Sequence, residues 1–399
     1  MLLGIFSDTH LGFGSDERFE EAFARFDEAI KIFKNHNVDY ILHAGDLFDD
    51  ATPTQEVWHK TMQCFNKNNS KITELIKESF GKKEKVTVKG IPIIAIHGTH
   101  EHRGKDFANA LSVLEEANCL LHLHVGYVEL NKGGEKVYVH GVGGVPEKFA
   151  KQVLEKYSPK AIENACNLFL MHQSFKEFLP FDDDSIASLS LSDLPGGFDL
   201  IINGHLHWRD EQEVEGKRFL LTGSTIFTQM KNLESEKEKG VFLFDTKNKK
   251  LEFVPFENQR KLFYHKMNFK DAQPEEVIFK VNEAVTQIVG QSFAMKPLVR
   301  IKLVGTLAKG FSQSDVKLTL PEDKAIFSVS KNFEANDLLK KMNELQDLQM
   351  EKKGILEIGV DILEKNALEA KLDIDVRRVF DLLSVGDLDS TEKVLLSKN

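Results

Sequence analysis

Short apolar runs recur along the first 256 residues, and most of them lead into a polar or charged stretch. An apolar run of about four to eight residues bounded by turn residues is typical of a buried strand. The pattern predicts strands at residues 2–6, 40–42, 86–88, 93–96, 127–130, 137–139, 168–171, 200–202, 219–221, 241–244 and 251–254.

Between these runs, apolar residues spaced three and four apart predict helices. The clearest helix covers residues 15–37, with Asp16 as the candidate N-terminal cap. Further helices are predicted at residues 55–80, either continuous or interrupted near residues 66–69, and at residues 107–117 and 149–157. A charged turn is predicted at residues 82–85. A helix between two apolar strands indicates a right-handed β-α-β unit, and functional sites form at the carboxyl edge of such sheets.

Beyond Arg260 the pattern changes to strand, helix and strand at residues 263–267, 274–289 and 298–303, which predicts a small α+β module. From Ala335 onward the chain is highly charged and helical in pattern. Its apolar stripes serve either ordinary core packing or docking to a partner. The stripes comprise Leu338, Leu339, Met342, Leu345 and Leu348, then Val376, Phe380 and Leu383, and near the end Leu388, Val394 and Leu395.

Composition narrows the class of protein. The 399 residues predict about two to three domains. A formal net charge of -10 argues against a surface that is basic throughout. Nucleic acid is still a possible partner, because bound divalent cations would add positive charge. Three widely spaced cysteines, none in a Cys-x-x-Cys pair, predict free thiols in a reducing compartment. With no leader-like segment and no apolar run of about 18 residues, we expect a soluble cytoplasmic protein.

Histidines and aspartates follow the predicted strands in a fixed order. Asp8 and His10 are two residues apart on an extended chain, so their side chains share one face. Two carboxylates with several imidazoles suit a pair of divalent ions such as Mn²⁺, with Fe²⁺ and Zn²⁺ as alternatives. A carboxylate can bridge two ions about 3.5–4 Å apart. The complete set comprises Asp8, His10, Asp46, His100, His172, His205 and His207.

Any one of these histidines alone would more often be structural than a metal ligand. The specific feature is the order Asp-x-His, Gly-Asp, Gly-x-His, His and Gly-His-x-His, each after an apolar run. Six histidines outside these positions are interpreted as surface or core residues, namely His36, His59, His122, His124, His140 and His265.

These ordered motifs resemble those of the calcineurin-like metallophosphoesterases, and within them the SbcD-type DNA double-strand-break repair nucleases. The resemblance implies an α/β fold with a two-sheet sandwich flanked by helices, followed by a small α+β capping domain and C-terminal helices. The implied domains are a nuclease domain at 1–258, a DNA-capping domain at 259–332 and a docking segment at 333–399. The motifs are Ser7-Asp8-Thr9-His10-Leu11-Gly12, Ala44-Gly45-Asp46-Leu47-Phe48-Asp49, Met171-His172-Gln173 and Gly204-His205-Leu206-His207.

The resemblance also implies the role of each residue. One ion would be held by Asp8, His10 and His207, and the other by His172 and His205, with Asp46 between them. His100 would stand beside the scissile phosphate as transition-state stabiliser or general acid. The implied cofactor is two Mn²⁺ ions per chain. The pair would activate the water molecule that attacks the phosphate.

Two positions depart from the family pattern. The usual Gly-Asn-His-Asp is here Gly98-Thr99-His100-Glu101, so the hydroxyl of Thr99 stands where an asparagine carbonyl ligates the second ion. Thr99 is expected to ligate directly or through water, or else Glu101 or His102 compensates. Asp49 stands where some members have a histidine.

Contacts with DNA require cations along the phosphate track. Near the motif loops the cationic candidates are Arg103, Lys105, Lys176 and Arg209. The alternative for each is a solvated side chain that contacts no phosphate. Ser224 and Thr225 follow a glycine and are candidate hydrogen-bond donors to a phosphate.

Three functions agree with the sequence. The leading hypothesis is a Mn²⁺-dependent nuclease at double-strand-break ends, with 3′-to-5′ exonuclease and single-strand endonuclease action. The resemblance adds a nucleoid location, a homodimer in which the 55–80 helix is a candidate contact, and an SMC-like ATPase (SbcC type) bound through the last helices. The alternatives are a phosphatase or phosphodiesterase acting on a smaller substrate, and a weakly catalytic scaffold that binds DNA ends.

Overall fold

The computed structural model describes residues 1–67, 71–104, 107–178, 189–334 and 375–384, with the single residues 360, 364 and 391. The chain divides into two compact units. Unit 1 comprises residues 1–264, 292–300 and 324–326, and unit 2 comprises residues 265–291, 301–323 and 327–399. The division into three domains made from the sequence remains a prediction.

The first sheet of unit 1 has six strands, and four of them are parallel. Its strands are nearly continuous apolar runs, as expected where helices or a second sheet cover both faces. In spatial order they are β14 (Lys250–Pro255), β13 (Gly240–Asp245), β1 (Leu2–Phe6), β2 (Tyr40–Ala44), β5 (Ile93–Ile96) and β6 (Leu121–His122).

The second sheet of unit 1 has eight strands, with β8 to β10 and β12 parallel and the others antiparallel. In spatial order they are β11 (Asp210–Val214), β12 (Lys217–Leu221), β10 (Leu200–Asn203), β9 (Cys166–Met171), β8 (Glu135–Gly141), β7 (Gly126–Lys132), β3 (Ile72–Ser79) and β4 (Lys82–Lys89).

Alternating side chains along each strand build the layers of unit 1. In β1, Leu3 and Ile5 join the core between the two sheets, whereas Phe6 joins the core beneath the helices. In β9, Leu170 faces the other sheet and Phe169 faces outward. The predicted two-sheet sandwich flanked by helices is therefore confirmed.

Three helices cover the first sheet and one covers the second. The first three are α1 (Asp16–Asn35), α2 (Gln55–Asn66) and α3 (Ala110–Glu116), and the fourth is α4 (Glu147–Tyr157). A short helix, α5 (Asn232–Ser235), follows later in the chain. Phe33 of α1 packs so closely on β1 that a Cβ at Gly4 would lie 2.5 Å from its ring, which explains a glycine inside this buried strand.

The prediction of helix over residues 55–80 is confirmed up to the interruption expected near residues 66–69, and it is wrong beyond that point. Helix α2 ends at Asn66, and the later part forms β3, which pairs with β4 across a turn at Phe80 and Gly81. Both turn residues have positive φ, 51° and 73°, as hairpin turns with matching twist require. Inward-facing and exposed residues alternate along β3, which is the two-residue period of a strand and differs from the three- and four-residue spacing of a helix.

Two smaller predictions also fail. The predicted charged turn at residues 82–85 belongs to strand β4, where lysines face solvent at the edge of the sheet. Asp16 does not cap α1, because Ser15 occupies the cap position and makes no side-chain capping bond. The hairpin over residues 131–134 and the helix beginning near residue 149 are confirmed by β7, β8 and α4.

A third sheet has three strands in the order β15 (Leu262–Ala272), β16 (Leu298–Leu307) and β17 (Ile326–Glu334). Helix α6 (Pro274–Val289) begins with proline and buries Val277, Val281, Val285 and Ile288 on one side. Helix α7 (Val376–Ser384) lies in the predicted docking segment. The predicted stripes at residues 338–348 and 388–395 lie outside the described residues. No helix in the described ranges is both long and apolar enough to cross a bilayer.

We expect Phe33→Ala to destabilise unit 1 by about 3–5 kcal/mol, because it removes a fully buried ring from the core under α1. Phe80→Ala is the matched control: its ring is 71% exposed, and the expected change is within about 0.5 kcal/mol. Urea unfolding followed by tryptophan fluorescence measures both, since Trp58 and Trp208 belong to unit 1. Equal midpoints for the two variants would contradict the packing described for α1.

Candidate metal centre

The predicted ligands meet where strands of both sheets end. Asp8 and His10 follow β1, Asp46 follows β2, and Thr99 follows β5 in the first sheet. From the second sheet, His172 follows β9, and the pair His205 and His207 follows β10. Parallel strands of both sheets therefore deliver these side chains to one edge of the sandwich.

The backbone at this edge is strained in the left-handed region. Four of the candidate ligands have positive φ, namely Asp8 at 49°, His10 at 45°, Asp46 at 53° and His205 at 79°. Non-glycine residues adopt this conformation rarely, and such residues cluster at functional sites. Gly98 lets the chain after β5 pass close to Asp46, because a Cβ at position 98 would lie 2.1 Å from Asp46 Oδ1.

The first ligand group consists of Asp8, His10 and His207, whose ligand atoms all lie within 4.8 Å of one another. The Nε2 atoms of His10 and His207 are 3.2 Å apart, and His207 Nε2 is 3.8 Å from Asp8 Oδ1. The Nδ1 atom of each ring contacts a residue outside the group. That of His10 is 3.0 Å from Asp49 Oδ1, and that of His207 contacts the Thr228 hydroxyl.

The second group consists of Asp46, His172 and His205, with the same 4.8 Å limit. His172 Nδ1 donates to the Ala44 carbonyl at 2.7 Å, so its Nε2 carries the free lone pair or a second proton. That Nε2 lies 3.0 Å from Asp46 Oδ2, yet it is buried and makes no well-directed hydrogen bond. A buried nitrogen of this kind fits a metal ligand.

Both groups fit a dinuclear centre for divalent ions. Imidazole and carboxylate donors converge at ligand distances, and outer partners fix the ring orientations, as in known metal sites. Asp46 belongs to the second group and contacts the loop carrying His100, whose backbone N–H donates to Asp46 Oδ1 at 2.9 Å. A third convergence of His10, Asp49 and His100 adjoins the first group.

Thr99 lies at the second group. Its hydroxyl oxygen is 3.5 Å from Nδ1 of His205, a member of that group. Glu101 is buried and its carboxylate accepts the backbone N–H of Phe48 at 2.7 Å and of Gly98 at 2.6 Å. Since these bonds direct Glu101 to the backbone, and since His102 is exposed, neither joins the ligand groups described for this chain.

His100 stands at the rim of the site. Its side chain is 42% exposed, and its ring lies edge-on to that of His10 with centroids 4.8 Å apart. Its Nδ1 contacts the backbone carbonyl of Asp49. Burial alone would lower the pKa of His100, but Asp46 and the contact with Asp49 outweigh it and raise the pKa above its ordinary value.

The buried groups shift each other's protonation. Burial raises the pKa of Asp8 to about 6, against the opposing charge of His172. For His172, burial would lower the pKa, but the nearby Asp46 and Asp8 carboxylates raise it to about 10. Burial and the charge of His172 lower the pKa of His205 to about 3. The raised pKa favours a protonated His172 in the absence of a cation, and a cation bound at this group would displace that proton.

Four predicted phosphate contacts have the following positions. Arg103 is exposed, with its guanidinium 5.3 Å from the Phe107 ring centroid. Lys176 is exposed in a short 3₁₀ turn. Arg209 is half-buried, lying 3.9 Å from the Phe253 ring centroid. Lys105 lies outside the described residues.

Ser224 and Thr225 are buried rather than exposed to a phosphate, at 2% and 1% exposure. The Ser224 hydroxyl donates to the Ile226 carbonyl at 2.6 Å, and it accepts the Lys239 ammonium at 2.8 Å. Burial and these contacts give Ser224 a structural role beside the site, and a hydrogen bond from Ser224 or Thr225 to a phosphate remains a prediction. Thr225 contacts the centre by its backbone: its N–H donates to the Asp8 carbonyl at 3.3 Å.

Three residues behind the ligands were missed by the sequence argument. Thr228 contacts His207, and Lys239 donates to the His207 carbonyl at 2.6 Å and to Glu234 at 2.9 Å. Lys239 and Glu234 are both buried, so each charge compensates the other. A buried lysine has no signature in a single sequence, because only the fold reveals that its ammonium is enclosed.

Comparison with known proteins places the chain in a family. The family model described as calcineurin-like phosphoesterase matches residues 1–209, which is more than half of the chain. A DNA double-strand break repair protein Mre11 from Sulfurisphaera tokodaii is 28% identical over 364 residues, covering 82% of this chain and 86% of that protein. The Mre11 of Sulfolobus acidocaldarius is 26% identical over 314 residues, covering 75% of this chain and 74% of that protein.

Another match covers less than half of the relative's own length. The human double-strand break repair protein MRE11 is 27% identical over 342 residues, which cover 73% of this chain and 46% of the human protein. The resemblance inferred from the motifs is therefore confirmed. The strand order, the convergence of two ligand groups and the matched family model agree: the chain belongs to the calcineurin-like phosphoesterases.

Proposed function

We propose that this chain is a metal-dependent DNA nuclease that processes double-strand-break ends. The observation that carries the proposal is the pair of adjacent ligand groups, built from both sheets, in a chain whose relatives are named double-strand break repair proteins. A phosphodiester hydrolase needs to activate water and neutralise phosphate charge, and two divalent ions supply both when bound.

The ligand groups suggest the following assignment. Asp8, His10 and His207 hold one ion, while His172 and His205 hold the other with Thr99 alongside. Asp46, which belongs to the second group, is assigned to both ions as the family resemblance implies; its Oδ2 faces His172 and its Oδ1 accepts the backbone N–H of His100. Mixed nitrogen and oxygen donors favour Mn²⁺, with Fe²⁺ and Zn²⁺ as alternatives.

His100 is proposed as the catalytic residue. Its side chain is partly exposed at the rim, where a phosphate would approach, and Asp49 holds its ring. Because the pKa of His100 is raised, its imidazole stays protonated up to a higher pH than an ordinary histidine does. It can then protonate the departing oxygen or stabilise charge on the phosphorane-like transition state.

The finer features are proposals of the same kind. They comprise 3′-to-5′ exonuclease action on duplex DNA, endonuclease action on single strands, a homodimer and a nucleoid location. Arg103, Lys105, Lys176 and Arg209 are proposed to lie along the phosphate track. A DNA-capping domain at 259–332 and an SMC-like ATPase docked on residues 333–399 complete the proposal. Helix α7 supports the docking, because Val376 is buried while Leu383 is 49% exposed.

One alternative has a specific observation behind it. Thr99 lacks the amide carbonyl of the family motif, which favours a scaffold that binds DNA ends with weak catalysis. A phosphatase or phosphodiesterase for a smaller substrate is less favoured, since residues after Arg260 build further structure that such a reaction does not require.

The first test is cleavage of end-labelled duplex DNA in Mn²⁺. We expect Asp46→Ala to lose both metal binding and cleavage, because it removes the carboxylate of the second group that is proposed to serve both ions. His100→Ala should retain both ions yet cleave about 10²–10⁴-fold more slowly, as expected for loss of an acid catalyst. His36→Ala, an exposed histidine outside the site, is the control and should match the wild type. Wild-type protein that binds two ions and leaves DNA intact would point to another phosphoester.

Thr99→Asn should tighten binding of the second Mn²⁺, because an amide carbonyl reaches further than the threonine hydroxyl. Thr99→Val, which keeps the shape and removes the hydroxyl, should weaken it. Calorimetric titration of metal-free protein measures both. Identical second-ion affinities in the three proteins would mean that position 99 takes no part in the site.

Deleting residues 372–399 should weaken capture of the SMC-like ATPase while leaving two Mn²⁺ bound per chain. The apolar side chains of α7 are lost with this segment, whereas the ligand groups lie in unit 1. Pull-down with the ATPase and metal analysis of the same sample give the two readouts. Undiminished capture would show that the docking surface lies elsewhere.

A further inference from the structure

The four imidazoles of the two ligand groups do not all face the centre in the same way. His10, His207 and His172 each present Nε2 inward, because their Nδ1 atoms contact Asp49, Thr228 and the Ala44 carbonyl respectively. His205 is reversed. Its Nδ1 is 3.5 Å from the Thr99 hydroxyl, whereas its Nε2 faces Glu147.

The outward nitrogen of His205 faces Glu147, the first residue of α4. His205 Nε2 is 3.7 Å from Glu147 Oε1, which is within ion-pair distance. The same oxygen accepts the backbone N–H of Ser174 at 3.3 Å. Glu147 Oε2 is buried and has no hydrogen-bond partner, so the carboxylate retains accepting capacity toward an imidazole N–H.

We infer that Glu147 is a positioning residue for the second metal ion, acting through His205. A carboxylate behind a metal-bound histidine fixes its tautomer and orientation and increases the basicity of the coordinating nitrogen. Here Glu147 would place the proton of His205 on Nε2 and leave Nδ1 free for the ion. The inference rests on the proposed metal centre and deepens it.

Glu147 also joins the two histidines of the second group. Ser174 lies two residues after His172, so the carboxylate contacts both the loop that carries His172 and the ring of His205. The second ion is the one whose asparagine ligand is replaced by Thr99. A site with a weaker direct ligand depends more on how basic and how well oriented its remaining nitrogen ligands are.

The geometry assigns Glu147 an outer position rather than a place among the ligands. Among the described residues, its oxygens do not join any group whose ligand atoms lie within 4.8 Å of one another. Asp49 has the corresponding place behind His10. Each ion would therefore have one histidine supported by a carboxylate, with Asp49 serving the first and Glu147 the second.

The test is Mn²⁺ titration of the metal-free full chain, followed by calorimetry and by electron paramagnetic resonance. Wild-type protein should bind two ions and develop the spectrum of a spin-coupled Mn²⁺ pair. Glu147→Ala should weaken the second ion by about 10–100-fold with the first unchanged, so that substoichiometric samples show an isolated Mn²⁺ spectrum. Glu155→Ala, an exposed glutamate on the same helix, is the control and should match the wild type.

Glu147→Gln separates the proposed role from a purely structural one. Its amide oxygen still accepts the Ser174 N–H, but the negative charge facing His205 is lost. We expect weaker binding of the second ion in this variant, with thermal unfolding in chelator unchanged. Wild-type affinity in Glu147→Gln would overturn the inference, even where Glu147→Ala fails to fold. A wild-type chain that binds no second ion would overturn the metal centre itself and the inference with it.

Discussion

His172 joins the two sheets at the site, and the remaining geometry depends on this contact. It follows β9 in the second sheet, yet its ring nitrogens reach Ala44, the last residue of β2 in the first sheet, and Asp46 just beyond it. Nδ1 donates to the Ala44 carbonyl at 2.7 Å, and Nε2 lies 3.0 Å from Asp46 Oδ2. Gly45 makes the approach sterically feasible, since a Cβ there would lie 2.3 Å from His172 Nδ1.

A second contact crosses between the sheets in the opposite direction. Asp8, after β1 in the first sheet, accepts the backbone N–H of His205 at 3.0 Å. Each sheet therefore contributes ligands that are held by the other sheet. Since the apolar core between the sheets determines their separation, the packing of residues such as Ile5 and Leu170 also determines the distances in the centre.

Gathering buried charges at one point costs free energy unless they are compensated. The chain compensates in two ways. Inside the site, carboxylates stand opposite imidazoles, which is why the pKa of His172 rises although burial opposes it. Behind the site, Lys239 and Glu234 form a buried pair that holds the His207 carbonyl. The left-handed backbone at Asp8, His10 and Asp46 is a further cost that the surrounding sheet ends sustain.

Much of the fold and the inner ligand set follow from the sequence, and the outer contacts do not. Apolar runs predicted the strands of the sandwich, and the order of the histidines and aspartates predicted which side chains would meet, because strand ends are local features. Strand β3 was misassigned as helix, since a short amphipathic stretch has nearly the same composition whether it is helix or strand, whereas residues 86–88 of β4 were predicted as strand. The burial of Ser224 and Lys239, and the contacts of Thr228 with His207 and Glu147 with His205, were decided only by tertiary structure. Such contacts join segments far apart in the chain, and their distances depend on how helices and loops pack around the sheets, which no local pattern encodes.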